Sequence, residues 1–309
     1  MDNKVLIFGH KNPDTDSICS SLIMEKLVKN FNVEAKAVRL GNLNKETEYV
    51  LKFLNLEAPE LIEKVSEGQN VILVDHNEAA QSVDGRDDAK VLAVVDHHRI
   101  ADFKTLEPLY YLAKPYGCTA TILFELYKQN GVEIDKTIGT LMLSAIVSDT
   151  LLLKSPTCTE KDVEAVKELE NITGLKADEY GLEMLKAGTD LSTYSGTEVI
   201  NLDAKEFSSD TKKFIVAQVN TADIDDVFSR REELEFAMEK EIADRKLNFF
   251  VFVITDIINT NSKIIALGSD KSVVEEAFNK KLDEFDSMML EGVVSRKKQI
   301  APVLLEAAK

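Results

Sequence analysis

Short apolar runs that end at polar residues recur through the first half of the chain. Runs of this length are too short for helices and are typical of strands buried in a parallel sheet. We expect strands at residues 4–8, 33–40, 71–74 and 91–95. From the helical spacing between and after them, we expect helices at residues 17–30, 45–54, 119–129, 136–150, 159–172 and 177–186. This alternation predicts an N-terminal α/β domain with a doubly wound, mainly parallel sheet and helices on both faces.

A stretch rich in Gly, Ser and Thr at residues 187–196 divides the pattern, and residues 189–195 form the predicted linker. Beyond it we expect strands at residues 212–220, 249–256 and 264–267, and helices at 223–246 and 273–279. The sequence therefore predicts a smaller C-terminal α/β domain with a mixed sheet. Two domains also agree with a length of 309 residues.

Composition narrows the classes of protein to consider. Apolar residues make up 44% and charged residues 29%, as in ordinary globular proteins. A net charge of −17 argues against a nucleic-acid partner, although bound cations and a few placed basic side chains still permit an anionic substrate. No apolar window is long enough to cross a bilayer and the first residues do not form a signal peptide, so we expect a cytoplasmic protein with no membrane partner.

The three cysteines, Cys19, Cys118 and Cys158, are far apart in the sequence. We expect them to be buried apolar side chains of a reducing compartment and not members of a disulfide framework or a zinc site.

Every histidine follows a predicted strand of the first domain: His10, His76, His97 and His98. In open α/β sheets, ligands bind in the crevice beyond the carboxyl ends of the strands. Three strands therefore deliver imidazole and carboxylate groups to one edge of the sheet, and this pattern predicts a metal site.

The first segment supplies His10, Asp14 and Asp16. Gly9 loosens the end of the strand and Pro13 prevents its continuation, so His10 can turn into the crevice. A single aspartate here would be explained as the cap of the next helix. A histidine four residues before Asp14, at the end of a strand, favours ligation instead.

Asp75 ends an apolar strand, where a carboxylate without a partner is costly, and two shared metal ions would satisfy it best. His76 points the other way along an extended strand, so a structural or supporting role is at least as well justified as ligation.

Asp149 follows the apolar stretch of a predicted helix. A polar helix end is the alternative there, but the helix dipole disfavours an anion at that end and ligation is favoured.

The segment Asp96-His97-His98 repeats the arrangement on the next strand. In an extended chain the two histidines cannot both bind one ion comfortably, so we expect one to bind metal and the other to face the substrate. Asp96 could orient a histidine as a hydrogen-bond acceptor.

Histidine and aspartate with no cysteine within range form a ligand set that suits Mn²⁺ or Mg²⁺, and Co²⁺ and Zn²⁺ can also bind. The set is too large for one catalytic ion that keeps a water. It predicts two metals bridged by a carboxylate, about 3.5–4 Å apart, with a bridging hydroxide as the nucleophile. The candidate ligands are His10, Asp14, Asp16, Asp75, His97 and Asp149.

The densest basic cluster of this acidic chain is Arg296-Lys297-Lys298 in the second domain. A solvated face is the ordinary explanation of such a run. Because the rest of the protein repels phosphate, we interpret this cluster as a phosphate clamp. Lys205, just beyond the linker, is a further candidate, although its position alone favours an ordinary surface lysine.

Taken together, these motifs resemble the family II, manganese-dependent inorganic pyrophosphatases of the DHH phosphoesterase superfamily, over the whole chain. Residues 9–10, 12–16, 74–77, 96–98 and 148–149 carry motifs that other DHH phosphoesterases share. The run Ser-Arg-Lys-Lys-Gln at residues 295–299 is more specific to the pyrophosphatases.

The resemblance implies a site with two Mn²⁺ ions, for which Co²⁺ can substitute. One ion is expected on His10, Asp14 and Asp75, and the other on Asp16, Asp75, His97 and Asp149. The side chains that match the family's substrate-binding residues are His98, Lys205, Arg296 and Lys297.

The same resemblance implies the reaction and the assembly. Pyrophosphate, bound as its Mg²⁺ complex, is hydrolysed to two orthophosphates in a cleft between a DHH catalytic domain at residues 1–188 and a DHHA2-type substrate-binding domain at 196–309. The second domain is expected to close over the substrate, and the N-terminal domains are expected to form a homodimer.

Two other functions fit parts of the pattern. A DHH oligonucleotide phosphodiesterase or exonuclease would share the metal ligands, but it typically carries a Gly-Gly-Gly-His type segment, and this chain has no Gly-Gly pair and few aromatic residues for stacking bases. A non-catalytic metal-binding protein would be indicated by loss of a ligand or of the basic cluster, and neither is lost.

Overall fold

The computed structural model describes residues 4–105, 107–209 and 211–309. Two compact units divide the chain, at residues 1–188 and 189–309. Residues 1–3, which belong to the start of the chain that we expect not to form a signal peptide, lie outside the described residues.

The first unit is built on a six-stranded sheet in the order β3-β2-β1-β4-β5-β6, and every pairing in it is parallel. The strands are β1 (Val5–Phe8), β2 (Ala35–Arg39), β3 (Glu60–Leu61), β4 (Asn70–Val74), β5 (Lys90–Asp96) and β6 (Tyr110–Ala113). Ile7 of β1 pairs with Ala37 on one side and Ile72 on the other. The strand order reverses direction between β1 and β4, and the crevice at such a switch point is where α/β sheets bind ligands.

Long helices cover one face of this sheet. They are α1 (Thr15–Lys29), α2 (Lys45–Phe53), α3 (Thr119–Gln129), α4 (Lys136–Asp149), α5 (Glu160–Thr173) and α6 (Ala177–Gly188). Asp14, Asn44 and Asp135 each accept a backbone N–H and so cap α1, α2 and α4. The six helices predicted here are confirmed, and no end differs by more than two residues.

The core of the first unit lies on both faces of the sheet. On the helical face, Ile23, Tyr127 and Leu143 belong to one buried cluster, and the Tyr127 hydroxyl donates to the Ile23 carbonyl at 2.9 Å. On the opposite face, Phe8 and Leu73 pack with residues of the connecting segments, which include 3₁₀ helices at Ala79–Gln81 and Arg86–Asp88. The predicted α/β class with a parallel sheet is confirmed, but the expectation of helices on both faces is wrong for the long helices, because connecting segments and short 3₁₀ helices cover the second face.

The second unit contains a five-stranded sheet in the order β11-β10-β9-β8-β7. Its strands are β7 (Ala204–Ser208), β8 (Lys213–Thr221), β9 (Phe249–Asp256), β10 (Asn261–Leu267) and β11 (Ser287–Leu290). The pairing of β8 with β9 is parallel and the others are antiparallel, so the predicted mixed sheet is confirmed. Its helical segments are α7 (Gly196–Asn201), α8 (Ile224–Ser229), α9 (Arg231–Arg245), α10 (Ser272–Phe278), a π-helical turn at Arg296–Ile300, and α11 (Ala301–Ala307).

The helix predicted at residues 223–246 is wrong as one element, because α8 and α9 are separated at Arg230. The Arg230 guanidinium donates to the carbonyl oxygens of Leu191 and Tyr194, at 2.8 and 2.6 Å, and this tertiary contact accompanies the break. No helix among the described residues combines the length and apolarity needed to cross a bilayer.

Candidate metal centre

The segment after β1 brings His10 and Asp14 together. A Cβ at Gly9 would lie 1.8 Å from the Ser17 hydroxyl, so only glycine allows the chain to pass this close to α1. Asp14 caps α1 by accepting the Ser17 N–H at 2.9 Å, and its other oxygen lies 3.4 Å from His10 Nε2. Asp14 therefore does cap the helix, as the alternative explanation required, and it also lies beside His10.

Asp16 lies in the first turn of α1 and is fully buried. Its carboxylate accepts the backbone N–H groups of Thr119 and Ala120, at 2.7 and 3.2 Å, and the Ser20 hydroxyl at 2.7 Å. Thr119 and Ala120 begin α3, so the positive end of a helix faces this carboxylate and favours its charge.

Asp75 lies directly after β4, at the centre of the cluster. Its Oδ2 is 3.4 Å from His10 Nε2 and its Oδ1 is 3.4 Å from His97 Nε2. Thr119 donates to Oδ1 at 3.1 Å, whereas Oδ2 is buried without a hydrogen-bond partner. The backbone of Asp75 has a φ of 57°, a left-handed conformation that non-glycine residues adopt mainly at special sites.

His97 faces both Asp75 and Asp149. Its Nδ1 lies 3.0 Å from the Tyr116 carbonyl oxygen, which can only accept, so this contact assigns the proton to Nδ1 and leaves Nε2 for the cluster. His97 Nε2 is 3.7 Å from Asp149 Oδ2. Asp149 is the last residue of α4, and the three leucines at 151–153 then turn the chain with φ values of 47°, 56° and 63°.

His98 lies close to His97, and the extended chain that was assumed for this pair is not present. β5 ends at Asp96, so the chain is no longer extended at the two histidines, and their rings are 4.2 Å apart. His98 Nδ1 lies 3.6 Å from Asp75 Oδ1 and 2.9 Å from Asp96 Oδ1. The Asp96 carboxylate thus orients His98, whose side chain is 51% exposed.

Asn77 and His76 make hydrogen-bond contacts that hold the segments at this edge of the sheet. Asn77 donates to Asp96 Oδ2 at 2.6 Å and to the Arg99 carbonyl at 2.8 Å, an interaction that the sequence pattern did not identify. His76 is buried, with its ring nitrogens 2.9 Å from the Val74 carbonyl and 3.0 Å from the Ser82 hydroxyl. Because those contacts occupy both nitrogens, His76 has the structural role that was left open for it.

Acidic neighbours change the pKa values of the histidines. Burial alone would lower the pKa of His10, but Asp14 and Asp75 outweigh it and raise the pKa to about 10. Burial is likewise outweighed at His97, where Asp75 and Asp16 raise the pKa to about 9. In the absence of a metal ion, the carboxylates of this cluster therefore favour protonated histidines.

The carboxylates repel one another in the same space. Burial and the negative charge of Asp75 raise the pKa of Asp16 to about 7. Burial and the charges of Asp16 and Asp75 also raise the pKa of Asp149. A divalent cation would relieve this repulsion more fully than protons do.

Cys118 corrects one expectation. Its Sγ, one oxygen of Asp16 and one of Asp149 lie within 4.8 Å of one another, so the statement that no cysteine is in range of the ligands is wrong. Cys118 immediately precedes α3, whose first N–H groups bind Asp16, and this tertiary contact is what brings the thiol near. The expected burial is confirmed for Cys19 and Cys118, whereas Cys158 is only partly buried.

The ligand atoms are of types that suit manganese, and they lie close together in small groups. Two further groups of side chains each bring their ligand atoms within 4.8 Å, and both include Asp75: His10 with Asp14, and His97 with His98. Carboxylate oxygens and imidazole nitrogens suit Mn²⁺. Asp75 Oδ2 is buried and accepts no hydrogen bond, so a bound cation would satisfy it.

The basic candidates all lie in the second unit. Arg296 begins the π-helical turn, its Nη2 lies 2.9 Å from Asp203 Oδ1, and it also donates to the Asp203 carbonyl. Asp203 is two residues before Lys205, so Arg296 is held beside the start of β7. The side chains of Lys205 and Lys297 are exposed.

Comparison with known proteins identifies the family. The model of the DHH family N-terminal domain matches residues 4–146, and that of the DHHA2 domain matches residues 182–307. The manganese-dependent inorganic pyrophosphatase of Bacillus subtilis is 53% identical over 98% of each chain. The chain belongs to the family II inorganic pyrophosphatases.

Other members of this family agree. A protein of Bacillus licheniformis named a probable manganese-dependent inorganic pyrophosphatase is 56% identical over 99% of each chain. Among solved structures, a Methanococcus jannaschii protein assigned to the family II inorganic pyrophosphatases is 39% identical, covers 98% of this chain and 99% of its own, and gives a TM-score of 0.62. The predicted resemblance is thus confirmed at the level of the family.

Proposed function

We propose that this chain hydrolyses inorganic pyrophosphate to two orthophosphates with the aid of manganese. The observation that carries the proposal is Asp75, whose two oxygens each lie 3.4 Å from a different histidine, His10 and His97. A carboxylate in that position can serve two cations at once. The family to which the chain belongs gives the substrate.

In this proposal, His10, Asp14 and Asp75 hold one Mn²⁺ ion, and Asp16, Asp75, His97 and Asp149 hold the second. When bound, the two ions would make a water molecule more acidic and withdraw electron density from phosphoryl oxygens. Asp75 lies in the first group, and its Oδ1 is also the oxygen that faces His97. Co²⁺ is expected to replace Mn²⁺ because it accepts the same ligands.

The remaining side chains would bind and orient the substrate. His98 is oriented by Asp96, exposes half of its ring and lies beside Asp75, so it can donate to a phosphoryl oxygen at the metal centre. Arg296, Lys297 and Lys205 would neutralise charge on the oxygens of the phosphate groups. We further propose that this basic set in the residue 189–309 unit closes over Mg²⁺-bound pyrophosphate.

We also propose that the protein is a homodimer formed through residues 1–188. β6 lies at one edge of the parallel sheet and pairs with β5, and the side chain of Tyr110 at its start is exposed. Light scattering at several protein concentrations would test this assembly, and a monomer mass throughout would contradict it.

The activity itself is tested by phosphate release. Metal would be removed with a chelator and the protein reconstituted separately with Mn²⁺, Co²⁺, Mg²⁺ or Zn²⁺, then supplied with pyrophosphate, a dinucleotide or a short oligonucleotide. We expect rapid phosphate release from pyrophosphate with Mn²⁺ or Co²⁺ and none after chelation. Cleavage of the oligonucleotide or dinucleotide alone would indicate a DHH phosphodiesterase, and Mn²⁺ binding without turnover would indicate a non-catalytic metal-binding protein.

A further inference from the structure

Glu46 is a partly buried carboxylate beside the metal centre and has no part in the ligand groups described above. It is the second residue of α2, and the charge pattern of that helix gave no reason to single it out. Its Oε1 accepts the Thr15 hydroxyl at 2.6 Å and also the Ser148 hydroxyl.

These two donors belong to different ligand-bearing segments. Thr15 lies between Asp14 and Asp16 at the start of α1, and Ser148 immediately precedes Asp149 at the end of α4. One oxygen atom of Glu46 therefore joins two stretches of chain more than 130 residues apart in sequence. The spacing between the Asp16 and Asp149 carboxylates depends on how these stretches are held.

The surroundings of Glu46 leave its side chain little freedom. Asn44 caps α2 by accepting the Thr47 N–H at 2.7 Å, and the Thr47 hydroxyl lies 3.1 Å from that of Thr15. On the other side, a Cβ at Gly188 would lie 2.9 Å from the Cβ of Glu46, so glycine is required at the end of α6 for Glu46 to occupy this place.

We propose that Glu46 is a positioning residue that fixes the two ligand segments at the separation the metal pair requires. It acts through the hydroxyl groups of Thr15 and Ser148 and does not touch the ligands' metal-facing atoms. The proposal rests on the function proposed above, because it assumes that Asp16 and Asp149 hold manganese. Groups that orient ligands in this way typically change metal affinity about 10- to 100-fold when they are removed.

Three variants of the full chain separate hydrogen bonding from charge and from packing. Glu46→Met keeps the length of the side chain and removes the acceptor, whereas Glu46→Gln keeps an acceptor oxygen and removes the charge. Glu48→Met is the matched control, because Glu48 is an exposed carboxylate two residues further along the same helix. The readouts are Mn²⁺ affinity by competition with a chelator and the thermal unfolding midpoint of the metal-free protein.

We expect Glu46→Met to weaken Mn²⁺ binding about 10- to 100-fold, Glu46→Gln to retain most of the affinity, and Glu48→Met to match the parent protein. Ser148→Ala, which removes one donor with little risk to folding, should also weaken binding. Combining it with Glu46→Met should add less than the sum of the two effects, because both act on one interaction.

Unchanged Mn²⁺ affinity in Glu46→Met would overturn the inference, and equal losses in the Met and Gln variants would assign the effect to charge and also overturn it. Asp149→Asn distinguishes the two proposals. If Asp149→Asn weakens Mn²⁺ binding while Glu46→Met does not, only the positioning role fails. If Asp149→Asn leaves the affinity unchanged, the metal centre proposed above fails with it.

Discussion

The two units hold their candidate functional residues in opposite ways. In the first, Asp16 and Asp75 are almost completely buried at the carboxyl edge of a parallel sheet, and hydrogen bonds from α3 fix them. In the second, Lys205 and Lys297 are exposed on a mixed sheet and a π-helical turn, and Arg296 is held by Asp203. One set is fixed before any ligand arrives, and the other is available to a ligand from solvent.

This difference separates two kinds of contribution to one proposed reaction. The buried carboxylates repel one another and depend on a cation, so their replacement should alter metal binding and activity together. The basic side chains lie in the other unit from the ligand groups, where Lys205 and Lys297 are exposed and Arg296 pairs with Asp203. Their replacement should therefore alter activity and leave metal binding intact.

The largest effect is expected for Asp75→Asn. Because this side chain faces both His10 and His97, we expect a loss of at least about a thousandfold in kcat/KM, or about 4 kcal/mol, together with weaker Mn²⁺ binding. Phosphate release and chelator competition would measure the two effects. Asp88→Asn, an exposed aspartate of the same unit, is the control. Full activity in Asp75→Asn would remove the basis of the proposed function.

Arg296→Ala and Lys297→Ala test the other side of the comparison. Each should lower kcat/KM about 100- to 1000-fold, as loss of a donor to developing charge does, with unchanged Mn²⁺ affinity. Lys240→Ala is the control, since Lys240 is an exposed lysine of α9 in the same unit and lies outside the basic run. Weaker metal binding in the Arg296 or Lys297 variant would show that the two units do not contribute separately.

His76 should make the stability of the first unit depend on pH. Burial lowers the pKa of His76 from 6.5 to about 4, so between these values the unfolded chain binds a proton that the folded chain does not. Stability should therefore be full above pH 6.5 and fall as the pH decreases toward 4, by about 2 kcal/mol between pH 7 and pH 5. Urea unfolding of the parent protein and His76→Asn at both pH values would isolate this contribution. Identical pH dependence in the two proteins would contradict it.

The smallest effect is expected for Lys205→Ala. Its exposed side chain should contribute a solvent-screened contact to phosphate, so kcat/KM should fall about tenfold, or roughly 1.4 kcal/mol, mainly through KM. Lys240→Ala, on the exposed surface of α9, provides the comparison. If both variants behave like the parent, Lys205 is the ordinary surface lysine that its position first suggested.

The sequence predicted most where burial constrains it. The apolar runs of β1, β4 and β5 predicted the sheet. Histidines and aspartates directly after such buried strands are unusual, and so they indicated ligands. Edge strands such as β3 and β7 were missed, because they are short and largely exposed and carry no apolar run. For Arg296 and Lys297, the prediction of a phosphate-binding role in place of a solvated face depends on the specific motif alone.

The sequence predicted that distant segments meet at one sheet edge, but it could not predict the additional contacts that they make there. Cys118 lies near Asp16 and Asp149 because α3 packs there. Asn77, after β4, donates to Asp96 at the end of the neighbouring strand β5. Both depend on tertiary placement, which no local periodicity records. The sequence also did not show that the chain leaves the extended conformation at His97 and His98, because β5 ends at Asp96.

The left-handed turn of three leucines at 151–153 follows Asp149 directly. Left-handed backbone disfavours non-glycine residues by roughly 1–2 kcal/mol each. Residues that adopt this conformation more readily would therefore increase the stability of the folded protein. An engineer seeking a heat-resistant catalyst would begin at Leu151, where asparagine or glycine suits the turn. The same location makes it a sensitive place to work, since any reversal of chain direction there would move the end of α4.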